Sequence, residues 1–528
     1  MSASAGRVLI MPKGNYDSSV TYNMLDMVYY GGKSYICKQT STGNVPTNTV
    51  YWQIMLEGAS TFEGLTDVDI NNVQDGDGVA YNATTHKWEN TSPVSIAITT
   101  PPAKVDYISG EILDLTGMVV TAYYTGGSTR NVTSQCTTLP ANGATLSSSN
   151  NSVAVYWRTF NATQAITVIE PIYGVEWDGS SSSAFTRTDL ASDFVDPVVQ
   201  MNNGSGGFTT GSSPFDSIMP WSGMELVTDE NAGTLVKIPK FYYKLTINDS
   251  TGALKLQISP YNTEGFSVSP AHMDRGDGEG ERDFVYVGAY HCASTTMKST
   301  TNSTCWTNLV RSTARSYIHA LGSDIWQWDK AMLTTIQMLY LVEFADWNSQ
   351  SKIGYGCSDV GVARNTGRLD NYPYHTATDA TSLTSYGFTK YRHIEGLWDN
   401  VYDWLDGVYL DSNGKAYFIL NPADFSDTTG GTYDGFSTSL SGDEIKKVKK
   451  SSVTGFEWVV WPVELTSNNN CDTYICDNAN AGPTEASIYV GGDATKFQYG
   501  GLFYQGSKDS AGKGANIGSR LMKLPANS

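Results

Sequence analysis

The sequence predicts a mainly β, multidomain chain, and three observations carry that prediction. Aromatic residues reach 12% while charged residues stay at 16%, a balance that favours pleated strands over long charged helices. Glycines and turn formers such as Gly31-Gly32, TGGS at 125–128 and NGAT at 142–145 interrupt short alternating apolar runs, as connections between strands do. The 528 residues, at about 150 per domain, leave room for three or four separate cores.

Charge and cysteine usage exclude several classes of function. Lys plus Arg number 34 against 53 Asp plus Glu, a formal charge of −19, and no stretch gathers the basic residues into a stripe, so nucleic acid is not an expected partner. The opening MSASAGRVLIMPKG has no basic segment followed by a long apolar run, which predicts no export by the ordinary signal route. Nowhere does an apolar run reach the ~20 residues that span a bilayer, so no membrane insertion is expected. Seven cysteines (Cys37, Cys136, Cys292, Cys305, Cys357, Cys471, Cys476) are too scattered for a disulfide scaffold, and reduced buried thiols are the expectation. Cys471 and Cys476 lie close enough for a local disulfide or half of a metal site, but no second pair stands nearby and no metal or cofactor is expected.

Residues 16–55 alternate apolar and polar positions between turns, as a small three-stranded sheet does. The segment resembles small chitin-binding-type carbohydrate modules of phage tail proteins at Tyr22, Asp26, Val28, Tyr30, Tyr35, Pro46 and Trp52. The same aromatics can instead be the miniature core of so small a sheet, and that is the favoured reading. Residues 61–92 are polar with isolated apolar positions and cannot bury enough surface alone. They resemble the short repeats of trimeric phage fibres at Leu65, Asp67, Val68, Asp77, Val79, Tyr81 and Trp88, and the resemblance implies a homotrimer.

From Ser95 to Glu170 the runs SIAITTPP, VVTAYY, SVAVYW and AITVIE recur at intervals that suit a sandwich. Pro101, Tyr107, Gly110, Leu113, Asp114, Leu115, Gly117, Val120 and Gly127 follow the pattern of bacterial immunoglobulin-like domains, which implies a spacer. Beyond it, RSTARSYIHALG at 311–322 and DKAMLTTIQMLYLVEFAD at 329–346 have helical periodicity, the second with an apolar stripe at Met332, Ile336, Leu339, Val342 and Phe344. Strand-like IPKFYYKL, DFVYVGAY and FEWVVWPVE surround them, and an α+β fold follows.

This last region resembles the C-type-lectin fold in its formylglycine-generating-enzyme-like branch. HIEGLWDNVYDWLDGV at 393–408 stands at one family signature, through Gly396, Leu397, Trp398, Asp399, Asn400, Val401, Trp404, Asp406 and Gly407. The terminal YGGLFYQG…NIGSRL stands at the other, through Gly500, Gly501, Ile517, Gly518, Arg520 and Leu521. The oxidase members follow the Gly-Gly strand with a cysteine pair that holds copper(I); this chain has no cysteine after Cys476, so no enzyme is expected. The resemblance extends to ligand-binding proteins whose terminal loop is varied by diversity-generating retroelements, phage tropism determinants among them.

That resemblance implies a binding surface at about residues 486–516, with Tyr489, Asp493, Tyr499, Phe503, Tyr504, Gly506, Asp509 and Ser510 as the ligand-binding set. All eight are residue types that adenine-directed mutation of AAY codons reaches, whereas Lys496, Gln498, Gln505, Lys508 and Lys513 are not. Aromatic, Ser, Gly and Asp side chains also suit adaptable recognition. The expected organisation is a carbohydrate-module-like domain at 1–58, a fibre-like linker at 59–93, an immunoglobulin-like sandwich at 94–171 and a C-type-lectin fold at 172–528. The implied function is a tail-tip or tail-fibre protein of the virion, joined to other tail proteins, that attaches to a glycan or protein receptor on the bacterial surface. A tail-associated glycan-degrading or oxidase-related enzyme and a purely structural fibre protein are the alternatives.

Two further clusters carry oxygen ligands. DRGDGEGERD at 274–283 holds Asp274, Asp277, Glu279, Glu281 and Asp283 without the spacing of a calcium loop, and reads as a solvated hairpin tip. Asp399, Asp403 and Asp406 lie near His393 and Glu395, where acid/base hydrolysis is conceivable, but scaffold roles are the expectation.

Overall fold

The computed structural model describes residues 9–57, 65–71, 77–357, 361–437, 444–466, 475–478, 485–495 and 499–526. The chain is mainly β and divides between Ile169 and Glu170 into two units.

In the first unit the earliest alternating run folds as a four-stranded sheet of Met11–Asn15, Asp26–Tyr30, Lys33–Cys37 and Trp52–Glu57. Tyr22, Val28, Tyr35, Cys37 and Trp52 are its core, and the Trp52 indole donates to the Asn44 carbonyl at 2.8 Å. Those aromatics hold the sheet together; Tyr29 and Tyr30 are the exposed ones. A three-stranded sheet of Val68–Asp69, Gly78–Asn82 and Lys87–Thr91 follows. Of its apolar side chains only Val68 is buried among the described residues, while Val79, Tyr81 and Trp88 are 45%, 49% and 40% exposed.

The strands of 93–169 alternate with period two: in Ser152–Trp157, Val153, Val155 and Trp157 point inward. Two clusters result, one around Val120, Ala122, Val155 and Trp157, the other around Tyr107, Leu113, Leu146 and Ile166. The Tyr107 hydroxyl ties the loops at the second cluster, donating to the Asp114 carbonyl at 2.9 Å.

The second unit wraps sheets around one helix, Lys330–Phe344. Asp329 caps it by accepting from the Met332 amide at 2.8 Å, and Ala345 ends it in the left-handed region. The periodicity predicts an apolar stripe, yet every helix residue except Gln337 is buried. Two of the polar positions, Thr335 and Glu343, are buried with distant groups as their partners. Glu343 accepts from Ser213, Tyr391 and Arg392, and Thr335 accepts from the Ala271 amide. The shorter helix, Arg311–His319, lies within the predicted 311–322.

The charged loop 274–283 also departs from expectation. Instead of a wholly solvated tip, it sends Arg275 and Arg282 into the protein at 1% and 2% exposure. Arg275 pairs with Asp329 and donates to the Leu420 carbonyl; Arg282 donates to Asp277 and to the Pro525 carbonyl. A buried guanidinium needs both a counter-charge and acceptors; Asp277 of the same loop gives Arg282 its counter-charge, while Asp329, Leu420 and Pro525 come from distant segments.

Candidate functional surface at the C-terminal strand

The C-terminal tract forms the strand Gly501–Asp509, antiparallel to Ala486–Gly491. Pairing runs from Ala486↔Asp509 to Val490↔Gln505, then jumps to Gly491↔Gly501, so Leu502, Phe503 and Tyr504 bulge out of register. The glycines before the strand serve close approach. A Cβ on Gly492 would stand 2.3 Å from the Trp398 carbonyl oxygen, and one on Gly500 would stand 3.1 Å from the Gly492 Cα.

The eight residues of the implied ligand-binding set do not form one surface. Tyr504, 2% exposed, stacks on Tyr402 with ring centres 5.3 Å apart, and Tyr489 packs on Tyr402 at 4.8 Å and on Trp404 at 6.0 Å. Burial and the neighbouring phenols push the Tyr504 hydroxyl far above its ordinary pKa. Gly506 leaves room for the Tyr489 ring: a Cβ there would fall 2.3 Å from it. Asp493 is buried as a loop clamp that accepts from the amide and hydroxyl of Thr495, each at 3.0 Å, and from the Asn516 amide. Phe503 is half-buried, edge-on to Trp347 at 4.7 Å, and Tyr499 is half-buried. As exposed display positions, Tyr504, Gly506 and Asp493 are therefore corrected to core. For Tyr504 and Gly506 the reason is period-two alternation, which buries Leu502, Tyr504 and Gly506 along the strand; Asp493 is buried by its bonds to Thr495 and Asn516.

Asp509 and Ser510 do reach the surface region. Asp509 is exposed and opens a tight turn, accepting the Ala511 amide at 2.9 Å. Ser510 and Ala511 border an open depression of about 440 Å³ whose other walls include Ser312, Arg315, Ser426, Asp427 and Thr428. Arg315 grips Asp406 through Nε at 2.5 Å and Asp427 through Nη2 at 2.8 Å. Burial pushes Asp427 up, but Arg311 and Arg315 outweigh it and hold the carboxyl below its usual range. The depression thus joins hydroxyls to a fixed charge pair. Ser312 and Arg315 lie in the helical run at 311–322 and Ser426, Asp427 and Thr428 in no stretch the sequence singles out; only the fold brings them to the terminal turn.

The segment after the turn closes the structure. Ile517–Ser519 runs parallel to the strand Tyr402–Leu410. Arg520, fully buried, donates to Asp403 at 3.2 Å, to the Gly288 carbonyl at 2.8 Å and to the Glu395 and Gly396 carbonyls at 2.8 and 3.1 Å.

The acidic residues weighed for acid/base work lie in this buried layer. Asp406 is bound by Arg315; Asp403 is held by Arg520 and by His291 at 3.0 Å. Glu395 accepts the Gly367 and Leu369 amides at 2.7 and 3.0 Å, and burial still pushes it up to about 8. Burial pushes Asp399 up to about 6, opposed by donation from the Cys357 and Thr389 amides. Each of the four is at most 3% exposed, so they act as ties between loops. Among the described residues no group of three His, Cys, Asp or Glu is placed to hold a metal, and Cys37, Cys136, Cys292, Cys305 and Cys357 are free thiols. Cys471, Lys496 and Gln498 lie outside the described residues, as does the side chain of Cys476.

No protein-family model and no curated protein matches the sequence.

Proposed function

We propose that this chain is a phage tail-tip or tail-fibre receptor-binding protein, part of the virion and bound to other tail proteins. On this reading the first unit is a carbohydrate-module-like domain, a fibre-like linker and an immunoglobulin-like spacer, and the second is a C-type-lectin-type fold. The observation that carries the reading is the depression beside the terminal turn, where Ser510 and Ala511 meet Ser312, Ser426, Thr428 and the Arg315–Asp427 pair. Hydroxyls and a fixed ion pair at an open surface match the donors and acceptors of a glycan better than an apolar protein patch. The acidic residues weighed for catalysis are buried and engaged, which favours binding over hydrolysis. Exposed Val79, Tyr81 and Trp88 support a homotrimer, since two further copies would cover them and multiply a weak single contact.

The test is binding of the labelled full chain to a panel of bacterial envelopes and purified surface glycans. Asp509→Arg and Ser510→Arg, which alter only the exposed turn, should abolish binding without moving the urea midpoint. Unaltered binding by both variants would sink the assignment of this surface.

A further inference from the structure

A second recognition feature stands on the helix Arg311–His319, whose Ser312 and Arg315 line the depression at Ser510. Tyr317 lies about 200° round the same helix from Arg315, on its other flank. At 51% it is more exposed than any other aromatic side chain of the second unit among the described residues. Its ring lies nearly parallel on that of Trp306, with 27° between the planes and 5.2 Å between the centres. Trp306 is itself held in place. Its backbone amide donates to the Cys292 carbonyl at 2.9 Å, and it packs against the cluster of Tyr402, Tyr504 and Ile517.

Tyr317 thus has one face on a fixed support and the other turned to solvent. Phe284 and Tyr433, also exposed, differ, because Lys237 and Lys415 stand over their faces. Among the described residues no cation covers Tyr317 or Trp306. A rigid, uncovered ring loses little side-chain freedom when a ligand settles on it. Its π face is negative, and the C–H bonds on an oxygen-free face of a pyranose present partial positive charge to it. A nucleobase would stack as well, but the formal charge of −19 repels its phosphates.

Polar groups stand round the pair. Thr313 lies one helical turn before Tyr317, and Asn308 lies two residues after Trp306. The side chains of both are without a hydrogen bond among the described residues, and an amide and a hydroxyl can each exchange hydrogen bonds with sugar hydroxyls. The Asn308 backbone amide donates to the Gly514 carbonyl at 2.9 Å, so the pair borders the base of the terminal turn.

We infer that Tyr317 is a stacking subsite for a pyranose of the gluco or galacto configuration, with Trp306 as its support and Asn308 and Thr313 at its rim. That this sugar belongs to a bacterial surface glycan rests on the receptor reading; the stacking rests on the ring pair.

Saturation-transfer NMR on the full chain tests it with methyl β-D-glucopyranoside, methyl β-D-galactopyranoside and methyl α-D-mannopyranoside. The glucoside has no axial oxygen and the galactoside keeps one face free of them, whereas the mannoside carries one on each face. Saturation should reach the ring hydrogens of the first two and not the third. Tyr317→Ala should remove the signal and Tyr317→Phe should keep it. No saturation of either sugar, equal saturation of the mannoside, or an undiminished signal from Tyr317→Ala would each overturn the proposal. In the envelope assay Tyr317→Ala should weaken binding about ten-fold, as loss of one stacked aromatic anchor does. Envelope binding that Ser510→Arg abolishes and Tyr317→Ala leaves intact would overturn the subsite and spare the receptor reading. No envelope binding by the wild type, with sugar saturation still lost in Tyr317→Ala, would overturn the receptor reading and spare the subsite.

Discussion

Tyr504→Ala distinguishes a displayed aromatic from a structural one. A buried aromatic ring removes about 150–250 Å² from water, worth about 4–6 kcal/mol at about 25 cal/mol/Å². At 2% exposure Tyr504 realises nearly all of that, and the stacked contact with Tyr402 at 5.3 Å adds to it. Because the neighbours relax into part of the void, the expected cost is about 3–5 kcal/mol. With a urea slope of about 3 kcal/mol/M, the midpoint of the Glu170–Ser528 unit should fall by about 1 M or more. The assay is urea titration followed by tryptophan fluorescence, with Asp509→Ala as a surface control expected to move stability by less than about 0.5 kcal/mol. A Tyr504→Ala midpoint equal to wild type would mean that the ring is not core, and the inward assignment of the strand would fail with it.

Three further outcomes are expected. Gly506→Ala should destabilise by about 1–3 kcal/mol, since its methyl group must displace the Tyr489 ring; an unchanged midpoint would show that the ring yields freely. Stability should peak near pH 6.5 and fall on both sides. Burial raises Glu395 to about 8, so the folded chain keeps a proton that the unfolded chain has released, and stability drops as pH rises toward 8. Burial lowers His272 and His393 to about 4, so the unfolded chain takes protons that the folded chain refuses, and stability drops from about pH 6.5 toward 4. Urea midpoints across that range check the assignment: Glu395→Gln should flatten the fall above pH 6.5 and, because Glu395 opposes the histidines from about pH 4.5 upward, steepen the rise between about 4.5 and 6.5. Finally, Trp88→Ser should lower the sedimenting mass toward one chain if Tyr81 and Trp88 meet other copies; a monomeric wild type would refute that interface.

Local signals were legible where local energetics decide. Asp329, three residues before Met332, and the apolar spacing after it mark the long helix within a residue or two. What the spacing could not reveal is that the polar face is buried too, because Glu343 meets Arg392 49 residues on and Ser213 130 residues back. The loop at 274–283 misleads for the same reason. Its charge density resembles a solvated tip, while the acceptor that draws Arg275 inward, the Leu420 carbonyl, is 145 residues away. The terminal strand is different: alternation of Leu502, Tyr504 and Gly506 was present in the sequence, but the glycine and serine content masked it.

The mixture of roles along this strand limits what kind of recognition it can support. Were the whole tract a free display surface, each of its positions could change independently. Instead Tyr489, Tyr504 and Gly506 share one packed contact, and Asp493 holds Asn516 across the base of the turn. Substitution at any of these alters the support of the others, as packed neighbours do. Positions from Lys508 to Lys513 are half-buried or exposed, and apart from the Asp509 carboxylate, which accepts the Ala511 amide, the turn closes through backbone groups. Variation compatible with folding is therefore confined to the turn and its rim. There a changed side chain meets the Arg315–Asp427 depression directly, while the aromatic layer beneath keeps the strand in place.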